Sequence, residues 1–581
     1  MRKRHFPAIL TFLILLFYTS LGFGQSKGLT LSPLNKLDTH SPWVNHTFRR
    51  LSRKQRIEQI FMVAAYSNKS LEYSDSIGKI IKKYQPGGII FFQGGPYRQT
   101  LLLNSYQKSL KVPAMVAMDA EWGPAMRLDS TLAFPYQMTL GALTKDTLIR
   151  KMGEAIGFQL SRLGVQVNFA PVLDVNNNIH NTVINFRSFG ENKESVSEKA
   201  NQYILGLQDK GILATGKHFP GHGDTEVDSH SDLPSLPFNR ARLDSLELYP
   251  FRKAIALGIG GMMVAHMHIQ AYDTSIHLPS SLSGNVIEGL LRTRLGFKGL
   301  IFTDAMNMKG VIKYYPPGQA ELMAVQAGND MVEMSTDLEG SVRSIRKALR
   351  KGLLSREVLN EKCRNILAWK EWMGLNAYKP VSPNNLYADL HKKEDKELIQ
   401  ELSDESLTLV RWEDSSRLRL PHKIKNGIIL AVNSPDSDYL RMGLSNNFGL
   451  RYVPIPANAD SLFLENVLTN MGDFDAVFLC LHDKRLRPSA SLNYSKPLLK
   501  WIGKLALDSR VYTTLLANPY CLAKIDQIEK ASHLLITYQD SDFTERSALG
   551  FWSGSLDSRG KLPVSIPGKF LSGFGLINHF R

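Results

Sequence analysis

Cysteine is nearly absent from this sequence: Cys363, Cys480 and Cys521 are the whole complement in 581 residues. They lie far apart, which excludes both a disulfide framework and a cysteine-built metal cluster. Long apolar runs are equally scarce. Only residues 6–23 form a stretch long and apolar enough to raise the question of a bilayer span. An excess of negative charge is also missing, since 70 Lys and Arg face 54 Asp and Glu for a formal net charge of +16. That balance suits either attraction to anionic cell-envelope polymers or a generally basic solvated surface. No nucleic-acid motif accompanies it, and no nucleic-acid partner is expected.

The one long apolar run has a recognisable job. Arg2, Lys3 and Arg4 precede it and Gly24-Gln25 closes it, the pattern of a cleaved export signal over residues 1–25. The expected destination is the periplasm or the outside, with no stable membrane insertion after cleavage. No cysteine follows the run, which argues against a lipid anchor. Export with so few cysteines suits a chain that builds a sufficient core of its own. The composition, 43% hydrophobic and 21% charged, is that of a globular protein, and the length exceeds one core, so two large domains are expected.

Short apolar runs recur at 59–65, 88–92, 114–118, 165–171, 212–217, 261–266, 299–303 and 330–334. Between them apolar residues fall at helical spacing, as at 148–163, 196–207 and 286–295. Strand–helix alternation implies a parallel sheet with right-handed crossovers. Eight such units predict a (β/α)8 barrel of the TIM type over residues 26–375, with an open doubly wound sheet as the alternative. Helical patterns at 338–351 and 357–372 close the region. A turn-rich stretch around Pro380 and Pro383 opens a linker over 376–405. Strand-like runs at 428–432, 476–481, 511–517 and 534–538 then predict a smaller α/β sandwich domain over 406–581.

Reactive residues gather at the C-terminal ends of the first set of runs. Asp119 follows the third, Asp174 the fourth, Lys217 and His218 the fifth, His266 the sixth and Asp304 the seventh. In a barrel that rim is where active sites are built. The densest segment, from Lys217 to Asp232, holds three His and three Asp beyond its lysine, with glycines that allow tight turns. Zinc ligation by His218, His222 and His230 with Asp224 or Asp228 is one reading, but Pro220, Gly221 and Gly223 rule out a helix that would align the imidazoles. No metal and no cofactor is expected.

Asp228 and His230 suit a different role, because residues two apart in extended backbone point the same way. A carboxylate beside an imidazole fixes its tautomer, raises its basicity and fits it to give and take a proton. Asp304 ends an apolar strand and can either cap the next helix or attack an anomeric carbon. Asp119, Glu121, Arg127 and Arg187 are candidates for orienting sugar hydroxyls. Trp122 can stack on a sugar face, and His266 either lines the pocket or sits hydrogen-bonded in the core.

These pieces together resemble glycoside hydrolase family 3, in its two-domain β-N-acetylglucosaminidase branch. The matching motifs are 118–123, 169–174, Arg187 to Phe189, the string Lys217-His218-Phe219-Pro220-Gly221-His222-Gly223 with Asp228-Ser229-His230 downstream, Phe302 to Asp304, and Ala327 to Asp330. The resemblance implies that Asp304 is a nucleophile and that Asp228/His230 replaces a carboxylic acid/base. It also implies that Asp119, Arg127, Arg187, Lys217 and His218 hold the terminal sugar. Trp122-Gly123-Pro124 departs from the Gly-Gly-Arg form of compact relatives. The expected activity is retaining exo-hydrolysis of β-linked N-acetylglucosamine from cell-wall fragments or chito-oligosaccharides. The competing readings are a β-glucosidase or phosphorylase of the same family and a non-catalytic carbohydrate-binding protein.

Overall fold

The structure, a computed structural model, describes residues 32–226, 232–413, 424–435, 437–470, 474–483, 485 and 490–577. The expected export signal lies outside the described residues, and so do Asp228 and His230. Among the described residues no helix is long and apolar enough to cross a membrane.

The eight apolar runs of the first region are strands: β1 (Phe61–Ala65), β2 (Gly88–Phe91), β3 (Met115–Met118), β4 (Val167–Asn168), β5 (Leu213–Phe219), β6 (Gly261–Val264), β7 (Leu300–Thr303) and β8 (Val332–Glu333). All neighbours pair parallel in the order β7-β6-β5-β4-β3-β2-β1-β8. A parallel bridge between Phe302 and Met331 joins the two ends, so the sheet closes into a barrel and the open-sheet alternative falls. Strands covered on both faces read as unbroken apolar runs, which is why periodicity found them.

Alternation along these strands sorts the core into two layers. Ala117, Leu213, Leu300 and Phe302 belong to the cluster filling the barrel. Val116, Ala214 and Ile301 belong to the cluster beneath the surrounding helices. The helix Lys193–Asp209 shows how that outer layer is made. Asn192 caps it by accepting from the Ser195 amide, and Val196, Ala200, Ile204 and Leu207 form its buried face. Each of the larger side chains contributes roughly 1.5–3 kcal/mol of burial. The segment expected as a helix at 286–295 is one, Asn285–Arg294, wound with the wider π hydrogen-bonding pattern.

The stretch 376–405 is less open than its turn signals imply. It contains the helices Leu386–Leu390 and Lys393–Ser406, which bury Leu386, Leu390, Ile399 and Leu402. Ion pairs from Arg162 to Asp389 and from Lys145 to Glu405, each 2.7 Å, tie them to the barrel.

Beyond it lies a six-stranded sheet in the order β11-β10-β12-β13-β14-β9. Its members are β9 (Thr408–Trp412), β10 (Gly427–Val432), β11 (Arg451–Ile455), β12 (Ala476–His482), β13 (Val511–Leu516) and β14 (His533–Ile536). The sheet is parallel except for β9, which runs antiparallel to β14. Sequence periodicity misses β9 and β11. β11 is a half-exposed edge carrying Pro454, a residue that edges tolerate and central strands do not. All three cysteines are buried, and none is joined in a disulfide among the described residues.

Candidate active site

Strand parity carries the site. Residues 115 and 117 point into the barrel, and Asp119 continues that face past the end of β3. Lys217 continues the face of Leu213 on β5, and Asp304 that of Leu300 and Phe302 on β7. Glu333 does the same on β8, following Met331. These four residues, with Arg127, Arg187, His218, His222 and Trp122, line a cavity of about 630 Å³ at the C-terminal rim. His266 falls on the opposite parity. Its Nδ1 meets Ser281 Oγ at 2.6 Å and its Nε2 meets the Ala305 carbonyl at 3.1 Å, so it is a core histidine, the second of the two roles expected for it.

One wall of the cavity is a chain of alternating charge. Arg127 donates to Asp119 at 2.5 Å, and Lys217 sits 2.8 Å from both Asp119 and Glu121. Arg187 then forks onto Glu121 through Nη2 at 2.6 Å and Nε at 3.0 Å. Burial opposes ionisation of Asp119, but Lys217 and Arg127 overcome it and hold the carboxyl well below the usual carboxylate range. Burial likewise opposes Glu121, which Arg187 and Lys217 bring down to about 2. Glu121 was expected beside Asp119 as a sugar-facing carboxylate. Instead it is buried behind the cavity wall, bracing Arg187 and Lys217.

Asp174 organises the two histidines of the dense loop. Its carboxylate accepts from His218 Nδ1 at 2.7 Å and from the His222 amide at 2.7 Å. This fixes the His218 ring, whose Nε2 lies 3.4 Å from Arg187 Nη2. His222 is pushed down to about 4 by burial and by its neighbour His218, and its Nδ1 meets Thr225 Oγ1 at 2.6 Å. Asp224, weighed as a metal ligand, pairs with Arg242 at 3.1 Å and accepts from Asn177 at 3.2 Å. Gly223 lets this loop lie against the loop after β4, where a Cβ would stand 1.9 Å from the Val175 carbonyl oxygen.

Asp304 is held by main chain of β6 and of the turn that follows β7. Its amide donates to the Val264 carbonyl at 3.0 Å and its Oδ1 accepts from the Ala305 amide at 2.8 Å. Trp122 lines the cavity and meets Tyr136 in a T-shaped contact, ring centroids 4.9 Å apart. Glu333 was missed by sequence reasoning. The available signal was a carboxylate inside the last apolar run, at the strand end where the other rim residues were sought.

The second domain reaches this wall from behind. Among the described residues, every one lining the cavity comes from the barrel. The loop that carries Arg187, however, is clamped between the domains: Asn518 donates to Asn185, Asn176 donates to the Tyr520 hydroxyl at 3.0 Å, and Glu191 accepts from Ser565. At Gly190 a Cβ would stand 2.3 Å from the Pro563 carbonyl oxygen. Among the described residues, the group of ligating side chains near enough to share one ion is His482, Asp540 and Glu545, in the second domain. Burial would depress the His482 imidazolium, but Asp438 and Asp540, facing its two nitrogens, raise it well above its ordinary value. That is an internally paired cluster.

Comparison with known proteins agrees with the geometry. The model of the glycosyl hydrolase family 3 N-terminal domain matches residues 53–368. A β-N-acetylglucosaminidase/β-glucosidase of Cellulomonas fimi is 26% identical over 393 residues, 66% of this chain and 69% of that one. A β-hexosaminidase of Alkalilimnicola ehrlichii is 34% identical over 256 residues, 42% of this chain and 72% of that one. The solved family 3 β-N-acetylglucosaminidase of Paenibacillus sp. str. FPU-7 superposes with a TM-score of 0.76 at 30% identity, over 89% of this chain and 99% of that one. With the family match spanning more than half of its length, this chain belongs to glycoside hydrolase family 3 and is a glycosidase.

Proposed function

We propose that the protein is a retaining exo-β-N-acetylglucosaminidase, releasing terminal non-reducing N-acetylglucosamine from cell-wall fragments or chito-oligosaccharides. The reading rests on one observation: a carboxylate on the tip of β7 shares a single cavity with the sugar-binding candidates Asp119, Arg127, Arg187, Lys217 and His218. The volume, about 630 Å³, is that of a small-molecule pocket. The activities named for the relatives favour N-acetylglucosamine over glucose.

In this reading the charged wall binds and orients the terminal ring while Asp304 attacks C1. The C1–oxygen bond to the leaving sugar breaks as a C1–Oδ bond forms. His230, as the imidazolium beside Asp228, gives its proton to the leaving oxygen. The neutral imidazole then takes a proton from water as the water oxygen displaces Asp304 from C1 with net retention. A histidine suits this site because a second ionised carboxylate near Asp304 would meet charge repulsion. The basic head and apolar run at the N-terminus support export, so the substrate is sought outside the cytoplasm.

The test is turnover of aryl N-acetyl-β-glucosaminide beside the matching glucoside, with product stereochemistry followed and phosphate present or absent. Preferred cleavage of the acetamido substrate with retention is expected. Preference for the glucoside, an inverted product, or a sugar 1-phosphate in phosphate would overturn the reading.

A further inference from the structure

Glu333 does not belong to the charge chain. Arg127, Lys217 and Arg187 are already engaged by Asp119 and Glu121, and among the described residues no cation pairs with Glu333. Its amide donates to Thr303 Oγ1 at 3.0 Å and its carbonyl accepts from the Met306 amide at 3.0 Å, so the backbone is fixed on both sides. The side chain faces the cavity, 2% exposed, and Oε1 is buried with no hydrogen-bond partner. A buried carboxyl oxygen left unpaired is costly, and native interiors rarely keep one without a use.

We propose that Glu333 is a substrate-binding residue of this pocket, donating the hydrogen of its carboxyl group to an oxygen of the terminal sugar. The surroundings explain why it donates. Burial raises its pKa well above the ordinary glutamate value, the anionic Asp119 and Asp304 raise it further, and Lys217 opposes them only in part. The adjacent β1 and nearby β2, Phe61–Ala65 and Gly88–Phe91, bring no titratable side chain to this face, and Tyr66, directly past β1, adds a phenol to the cavity lining. An ionised Glu333 would place another anion beside Asp119 and Asp304. A carboxyl that keeps its proton offers instead an O–H donor for acceptor oxygens. The oxygen it meets belongs either to a ring hydroxyl or to the acetamido carbonyl, and both accept the same bond. Sites that keep a buried donor for a substrate oxygen discriminate strongly against ligands lacking that oxygen.

This inference rests on the proposed glycosidase reading, so wild-type turnover of the two aryl glycosides is measured first. Failure on both counts against that reading. Glu333 is then tested independently, by binding of free N-acetylglucosamine to the full chain. Glu333→Leu, which removes the donor at similar size, is expected to bind and turn over N-acetylglucosaminide about 10-fold less well in kcat/KM, while melting no lower than wild type. Glu333→Gln, whose amide N–H stands in the same place, is expected to stay within about threefold of wild type. Should Glu333→Leu fail to fold, Glu333→Met carries the same comparison. Loss confined to the acetamido substrate assigns the acetamido carbonyl, and loss on both substrates assigns a shared hydroxyl. A leucine variant that binds and turns over as wild type would overturn the proposal, as would a glutamine variant that falls as far as leucine.

Discussion

Replacing Lys217 with methionine keeps the length of the side chain and removes the one cation shared by two buried carboxylates. Its ammonium lies 2.8 Å from Asp119 and 2.8 Å from Glu121, and the side chain is 2% exposed. Glu121 shows the size of the effect. Against the opposing cost of burial, Arg187 and then Lys217 lower it from 4.5 to about 2, which corresponds to about 3 kcal/mol of stability at neutral pH. Lys217 is the second contributor there and the first on Asp119. Losing it on both, less the relief of no longer burying an ammonium, gives a destabilisation on the order of 3 kcal/mol, the range found when one partner of a buried pair is removed. The pH dependence follows from the sign. A carboxyl whose folded pKa is depressed contributes fully above its unfolded value and loses that contribution as pH falls through the folded one. The gap between wild type and Lys217→Met is therefore expected to be full at pH 6–7 and to shrink from about pH 4.5 toward pH 2. Urea unfolding of both proteins at several pH values reads this directly. A gap of equal size at pH 7 and pH 3 would mean that Lys217 acts by packing alone and would refute the electrostatic account.

Three further outcomes are expected. His230→Ala is expected to slow substrates with poor leaving groups far more than activated aryl glycosides, which need little protonation; equal losses in kcat on both would remove the acid/base role. Lys370 is fully buried, with its ammonium on Gln59 Oε1 at 2.6 Å, and burial pushes its pKa down to about 7 from 10.5. The folded state thus loses stability as pH falls from 10.5 to 7, by up to about 5 kcal/mol, so Lys370→Met should melt higher than wild type at pH 7 and lose that advantage near pH 10.5 in calorimetric scans. Asn518→Ala removes the contact to Asn185 behind the Arg187 loop, and steady-state kinetics should show KM raised about 5-fold with kcat little changed, as expected for one lost hydrogen bond of about 1 kcal/mol.

How much of this was legible in the sequence depends on what kind of contact was involved. The eight barrel strands were, because a parallel strand buried on both faces advertises itself as an apolar run. So were Asp119, Lys217 and Asp304, polar residues where such runs end. Glu333 was not, since one carboxylate among Met331, Val332 and Met334 looks like an interruption until its parity is known. β11 was hidden by its exposure and by Pro454, both consequences of lying at a sheet edge. The reversal at Glu121 has a different cause. Residues 119 and 121 share a strand-like spacing, but the chain leaves β3 at Met118, and beyond a strand the period of two no longer holds.

The same distinction bears on what the second domain does. Among the described residues it supplies no side chain to the cavity, yet it clamps the loop from Asn176 to Glu191 at several points, and that loop carries Arg187. Arg187 in turn braces Glu121 and, through it, Lys217. A strand tip is placed by the barrel's own hydrogen bonds, so Asp304 and Glu333 need no outside support. A loop residue has no such ladder and is fixed only by what packs behind it. The charged wall is therefore a shared product of two domains, whereas Asp304 belongs to the barrel alone. Loosening the interface should weaken sugar binding before it touches Asp304, the proposed nucleophile, which is why the Asn518 substitution is expected to move KM and leave kcat in place.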